Sequence, residues 1–205
     1  MKTLKPEKTK IFIISGPGGV GKTTLVQQLF QIKGVQDSAI KAVTITTRQK
    51  RSEEEEGKDY FFVDKEEFLR LENNSFFLES QKFLNDYYGT PKILRGLAKK
   101  KEKNLVLCID VQGGMCLKKK YKDDTIVTIF ITASSEKELT RRMKKRDESG
   151  EMIEKRIELA KKELQLSKKY DFLVVNKNIK NTLEELKAIL LENRSSSKKK
   201  VKQSR

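Results

Sequence analysis

The 205-residue chain contains no histidine, so the side chain that most often moves protons near neutral pH is missing. Whatever chemistry it performs must proceed without imidazole. Cysteine is scarce as well. Cys108 sits inside an apolar run and Cys116 in the segment after it, a spacing that fits neither a zinc pair nor a disulfide scaffold. Both are expected to be ordinary packing residues. No apolar run reaches the roughly eighteen residues of a membrane span, and Met1-Lys2-Thr3-Leu4-Lys5-Pro6 lacks the apolar stretch of a signal segment. The expectation is a soluble, cytoplasmic protein with no membrane partner.

Acidic charge is also in short supply: 29 Asp and Glu stand against 45 Lys and Arg, a net charge of +16. Its distribution matters more than its size. Residues 1–10 carry +3 and residues 193–205 carry +6, which leaves +7 for the body. Both basic tails are expected to be disordered, the second because Ser195-Ser196-Ser197-Lys198-Lys199-Lys200 is low-complexity. No specific nucleic-acid partner is expected. A modestly basic body suits a protein that handles several phosphate groups.

One stretch organises the rest. Gly16-Pro17-Gly18-Gly19-Val20-Gly21-Lys22-Thr23-Thr24 completes the phosphate-loop pattern G-x-x-x-x-G-K-[ST]. The glycines let backbone N–H groups converge on an anion, Lys22 reaches toward the β- and γ-phosphates, and the Thr23 hydroxyl is placed for Mg²⁺. Upstream, Ile11-Phe12-Ile13-Ile14 reads as a buried parallel strand. Downstream, Thr24 to Phe30 has helical apolar spacing. The strand–loop–helix order sets the phosphate at a helix N-terminus, which a glycine-rich turn with a surface lysine would not do.

After that unit, Ala42-Val43-Thr44-Ile45 predicts a strand that runs into Arg48 and Arg51, and Tyr60-Phe61-Phe62-Val63 predicts another. Lys65 to Leu71 is a short helix, and Ser75 to Phe83 is extended. Thr90 as N-cap with Pro91 at the first helical position opens a helix over 92–100. Residues 40–92 thus form a small mixed β insertion. The parallel pattern resumes with Leu105 to Ile109 ending in Asp110, then Thr125 to Ile131. Ser135 with Glu138 is a capping box for a helix holding Arg141, Arg142 and Arg146; a longer helix spans 151–169. Phe172 to Val175 is the last strand, ending at Asn176, and Asn181 with Glu184 caps a closing helix to about Leu191. The fold class is α/β, three layers around a central parallel sheet.

Three constellations carry chemistry. Asp110 at a strand end can hold Mg²⁺ directly or through water, although strand-end aspartates also cap helices. Arg48 and Arg51 can grip a dianion, with Tyr60 and Tyr88 adding neutral donors. Close to them in sequence are Glu54, Glu79 and Thr90: an acceptor-only carboxylate suits the N1–H and N2–H₂ edge of guanine, and a hydroxyl suits O6. Arg142, Arg146 and Arg156 flank the Asp147-Glu148-Ser149-Gly150 break, as on a helical lid that swings over a phosphate.

The series GPGGVGKTT, TITTRQKR, Glu54, GKDYFF, FLES, YYGTP, IDVQGG, RRM-x-x-R, EKRIELAKKEL and YDFLVVN resembles the guanylate kinases in order and spacing, over about residues 10–190. The resemblance implies a P-loop kinase fold with an ATP-bound core (11–40, 93–135, 170–192), a GMP-binding region (41–92) and a helical lid (136–169). It implies Mg²⁺-dependent transfer from ATP to GMP in purine nucleotide metabolism, and places Arg48, Arg51, Tyr60 and Tyr88 on the GMP phosphate. Thr44, Glu79 and Thr90 fall at the guanine, and Glu54 and Asp110 in the polar framework around GMP. Lys22, Thr23, Arg142, Arg146 and Arg156 fall on the transferring phosphates, Asn176 falls on the adenine side, and Thr23 and Asp110 serve the metal. Gly18, Thr44, Lys50 and Asp147 depart from the usual pattern, and the lid is one residue shorter, which bears on lid geometry and rate. Two rivals stand beside this reading: a non-catalytic guanylate-kinase-like binding module, opposed by the intact phosphate loop, and a kinase of another monophosphate, opposed by Glu79 and Thr90.

Overall fold

The structure is a computed structural model that describes residues 9–121, 125–144 and 150–192. Both basic tails, apart from Thr9 and Lys10, and Arg146 lie outside the described residues. Nine strands divide into two sheets among the described residues. The larger is wholly parallel in the order β2 (Ala39–Lys41), β7 (Asn104–Cys108), β1 (Ile11–Ser15), β8 (Ile126–Thr132), β9 (Phe172–Val175). The smaller is mixed, in the order β4 (Tyr60–Phe62), β3 (Thr44–Thr46), β6 (Asp86–Pro91), β5 (Phe77–Phe83).

The continuous apolar run of β1 is buried along its whole length because both faces of its sheet are covered. Its alternation divides the core in two. Phe12 and Ile14 pack with Leu25 and Leu29 of α1 (Lys22–Leu29) and with Leu186, Ile189 and Leu190 of α8 (Ile179–Glu192). Ile11 and Ile13 point the other way, toward Ala98 of α4 (Ile93–Lys100) and Leu117 of α5 (Val111–Lys120). Helices therefore sandwich the sheet, giving the three-layer α/β arrangement. A separate cluster of Ile45, Phe68 and Phe77 holds α3 (Lys65–Asn73) to the mixed sheet, with Phe68 and Phe77 stacked at 4.7 Å. Among the described residues, no helix is long and apolar enough to cross a membrane.

Four local expectations are corrected. The strand expected over 42–45 begins only at Thr44, as β3; Ala42-Val43 link it to β2, which lies in the other sheet. Thr90 and Pro91 do not open α4; they end β6, Pro91 opposite Phe77, and Lys92 precedes the helix. The side chain of Thr90 is taken by a partner across the sheet, so it is not available as a cap. The closing helix α8 begins at Ile179, capped by Asn178, whose side chain accepts from the N–H groups of Lys180 and Asn181. Cys116 is exposed on α5 and is no packing residue. The capping box at Ser135 holds in its first half: the Ser135 hydroxyl accepts from the Glu138 N–H, while the Glu138 carboxylate turns to Arg141 and Arg142.

Candidate active site

The phosphate loop joins β1 to α1, and two of its glycines are demanded by geometry. Gly16 has φ 147° and passes so close to β8 that a Cβ would lie 2.0 Å from the Ile131 carbonyl oxygen. Gly21, at φ 90°, turns the chain into α1 without a side-chain cap, leaving the first N–H groups of the helix directed at the loop. The Lys22 Nζ donates to the carbonyls of Gly16 (2.6 Å) and Pro17 (3.0 Å), so the lysine folds over the loop it serves. The loop is held from behind. Asn176 at the end of β9 donates from Nδ2 to the Val20 carbonyl (2.7 Å) and accepts at Oδ1 from the Thr182 hydroxyl of α8 (3.3 Å).

Arg48, just past β3, donates to the Glu54 carboxylate at 2.6 Å and lies over the rings of Tyr60 and Phe62 at 5.4 and 5.9 Å. The other oxygen of Glu54 accepts from the Arg51 N–H at 2.9 Å, fixing the loop that carries both arginines. Tyr60 and Tyr88 meet edge to face at 6.1 Å, and burial raises the hydroxyl pKa of each. Glu79 on β5 is 7% exposed and accepts from the Thr90 hydroxyl at 2.7 Å. Burial pushes its carboxyl up to about 7; Thr90 opposes that shift and the charge of Asp110 adds to it.

Asp110 caps α5, its Oδ1 accepting from the Gly113 N–H at 2.8 Å, so it fills the capping role and borders the site at once. Gly113 has no room for a side chain: a Cβ there would come within 2.9 Å of a Glu79 carboxylate oxygen.

These groups converge. One cleft is lined by Gly16, Gly18, Gly19, Gly21, Lys22, Thr23 and Thr24 on the phosphate-loop side. Thr44, Arg48, Arg51, Glu54, Tyr60, Glu79 and Tyr88 line it from the mixed sheet, with Asp110 and Arg156 completing the expected set. Thr90 reaches the cleft only through Glu79. Pro17, Val20, Asn176 and Arg142 do not line it. Arg142, on α6 (Glu136–Lys144), is instead held by Glu138 at 2.7 Å and by the Asn176 carbonyl at 3.2 Å.

The cleft also contains residues that sequence reasoning missed: Phe83, Leu84 and Asp86 at the β5–β6 turn, Cys108 at the end of β7 with Ile109 after it, and Glu163 on α7 (Gly150–Leu166). Glu163 had a readable signal, since it follows Arg156 by seven residues and so returns to the same helix face. It is 4% exposed. Burial pushes its carboxyl up to about 7 against the pull of Lys22, and Asp110 raises it further.

The guanylate kinase family model matches residues 8–193. The chain belongs to the guanylate kinase family. It is 44% identical to the guanylate kinase of Mycoplasma genitalium over 183 residues, covering 89% of this chain and 75% of that protein. The Malacoplasma penetrans guanylate kinase is 41% identical over 191 residues, covering 92% and 95% of the two chains. Among solved structures, the guanylate kinase of Anaplasma phagocytophilum superposes with a TM-score of 0.76 at 29% identity, over 95% of this chain and 90% of that one. As an enzyme of this family the chain is a nucleotide-binding kinase.

Proposed function

We propose that this protein transfers the γ-phosphoryl group of ATP to the phosphate of GMP, giving ADP and GDP, and so returns GMP to the cytoplasmic purine nucleotide pool. The observation that carries the reading is a single cleft with the phosphate loop at one end and the Arg48, Arg51, Tyr60, Tyr88 and Glu79 set at the other. A reaction between two phosphates needs both anions held in line and their repulsion offset.

In this reading Gly16 to Thr24 cradle the donor phosphates, and Lys22 leaves the loop carbonyls to follow charge on the migrating group. Arg48 and Arg51 bind the acceptor phosphate, with Tyr60 and Tyr88 as neutral donors kept protonated by their burial. Glu79 accepts from the guanine N1–H and N2–H₂, Thr90 holds the Glu79 carboxylate, and Thr44 and Glu54 complete the acceptor side. Arg156 serves the transferring phosphates from the cleft wall, and Asn176 fixes the loop on the adenine side. Arg142 and Arg146 are assigned to those phosphates by the family resemblance, Arg142 having first to leave Glu138 and the Asn176 carbonyl. No imidazole base is required, because a monophosphate with a second pKa of about 6 is already largely ionised at neutral pH.

The donor set fits Mg²⁺. The Thr23 hydroxyl and the Asp110 carboxylate are hard oxygens bordering the cleft, and no group of three or more His, Cys, Asp or Glu able to hold a metal occurs among the described residues. That pattern suits an ion held mainly by substrate phosphates and water, with one or two carboxylates from the protein. When bound, it would neutralise charge on the β- and γ-phosphates.

The test is a coupled ADP-release assay with GMP, dGMP, AMP, CMP and UMP. Strong preference for the guanine nucleotides is expected; equal turnover of AMP or absence of turnover would overturn the reading.

A further inference from the structure

A buried carboxylate beside a phosphate-binding loop is unfavourable on two counts. It is stripped of water, and it repels the anion the loop exists to bind. Glu163 is such a group. It is 4% exposed and lines the cleft. Its place is not an accident of a mobile surface. Ala160, one turn earlier on α7, is buried in the main core cluster, and Arg156, a further turn back, comes within 3.8 Å of where a Cβ on Gly18 would stand. The helix is thereby fixed over the phosphate loop, and its inner face delivers first a guanidinium and then a carboxylate into the cleft.

The surroundings of Glu163 specify what would relieve it. Glu163, Lys22 and Asp110 line the same cleft, and the charges of the loop cation and of the second carboxylate both act on the Glu163 carboxyl. The Thr23 hydroxyl, next along the chain from Lys22, opens into the same space. Two carboxylates together with a polyphosphate carry more negative charge than Lys22 and Arg156, the cations on this side of the cleft, can offset. A hydrated divalent cation supplies the balance, since water ligands can donate to carboxylates that are too few and too dispersed to bind the ion directly.

Resting on the ATP-dependent reading above, we infer that Glu163 is a positioning residue for Mg²⁺, accepting hydrogen bonds from its water ligands opposite Asp110. The lid helix then contributes to metal binding as well as to phosphate binding. Arg156 and Glu163, two turns apart, engage the two ends of one metal–phosphate assembly.

The experiment is Mn²⁺ binding to the full-length protein saturated with ADP, followed by electron paramagnetic resonance, for the wild type, Glu163→Gln and Glu163→Asp. The glutamine variant is expected to bind Mn²⁺ about 10–100-fold more weakly, the range seen when outer partners of a metal site are removed. Glu163→Asp retracts the carboxylate while keeping its charge. It is the second variant should the amide not be tolerated, with a severalfold loss expected. In parallel, the Mg²⁺ concentration giving half-maximal turnover should rise while KM for GMP stays unchanged. Wild-type Mn²⁺ affinity in both variants would overturn the inference. So would weaker ADP binding in EDTA with unchanged Mn²⁺ affinity, which would mean that Glu163 serves Lys22 alone. Because Mn²⁺ binding to the ADP complex is read without turnover, failure of the wild type to phosphorylate GMP would be a separate result, bearing on the proposed reaction.

Discussion

The Thr90 hydroxyl donates to the Glu79 carboxylate at 2.7 Å from the neighbouring strand, and both side chains are buried. The bond fixes the direction in which the rest of the carboxylate points. Glu79→Gln keeps the shape but replaces one acceptor with an N–H₂ that faces donors on guanine. The loss in kcat/KM for GMP should correspond to about 1–3 kcal/mol, the cost of leaving buried polar groups mismatched. The GMP to AMP ratio should fall. An unchanged ratio would mean that the base is read elsewhere.

The same carboxylate predicts a pH dependence. Glu79 holds its proton up to about 7 in the folded protein, against an ordinary value of 4.5. To accept from two guanine N–H groups it must be ionised, so KM for GMP should rise as pH falls below about 7. Glu79→Gln removes that component and leaves the one near about 6 that belongs to the GMP phosphate. Stability runs the other way. The folded protein binds this proton more tightly than the unfolded chain, so the contribution is fully present below 4.5 and is lost as pH rises through about 7. Urea midpoints of the nucleotide-free protein should fall across that window by the equivalent of up to about 3 kcal/mol, and less steeply in Glu79→Gln.

Lys22→Ala should fold, because the lysine belongs to none of the apolar core clusters and its bonds to the Gly16 and Pro17 carbonyls lie within its own loop. Turnover should drop by roughly a hundredfold or more, the scale of losing one preorganised charge partner. Circular dichroism reports the fold and the ADP assay reports the rate; wild-type-like turnover would refute the enzymatic assignment of the loop.

Asn176→Ala strands the Val20 carbonyl and takes an acceptor from Thr182, both in buried surroundings. A cost of about 1–3 kcal/mol is expected from the unsatisfied carbonyl alone. With the loop loosened, KM for ATP should rise more than KM for GMP. Equal changes in both constants would show that the effect is on global stability.

Much of this architecture was legible because it rests on short patterns with strong local causes. The run at Ile11–Ile14 is buried on both faces, and the glycines at 16 and 21 occupy positions that other residues would strain or block. What was misread required knowledge of partners distant in sequence. Nothing around Ala42-Val43 announces that the chain leaves one sheet and enters another, since both halves are equally apolar. Thr90-Pro91 carries the letters of a helix start, and only the Glu79 carboxylate eleven residues earlier explains why the hydroxyl faces across a strand. Asn178 and Asn181 are equivalent as capping residues until the register of β9 decides between them. Glu163 escaped notice because a glutamate in a lysine-rich helix reads as a solvated charge, and burial is a tertiary property.

The passage between the two sheets has a mechanical consequence. The chain leaves the parallel sheet at Ala42-Val43 and returns through Lys92, and Leu78 of β5 packs in the core cluster of the larger sheet. These three points all lie at one end of the mixed sheet, which makes that end a pivot. Thr44, Glu79 and Thr90 each stand within two residues of it, whereas Arg48 lies up to about 13 Å further along an extended chain. A modest rotation would therefore hardly disturb the residues facing the base, while the arginine on its longer lever arm would sweep through several ångströms.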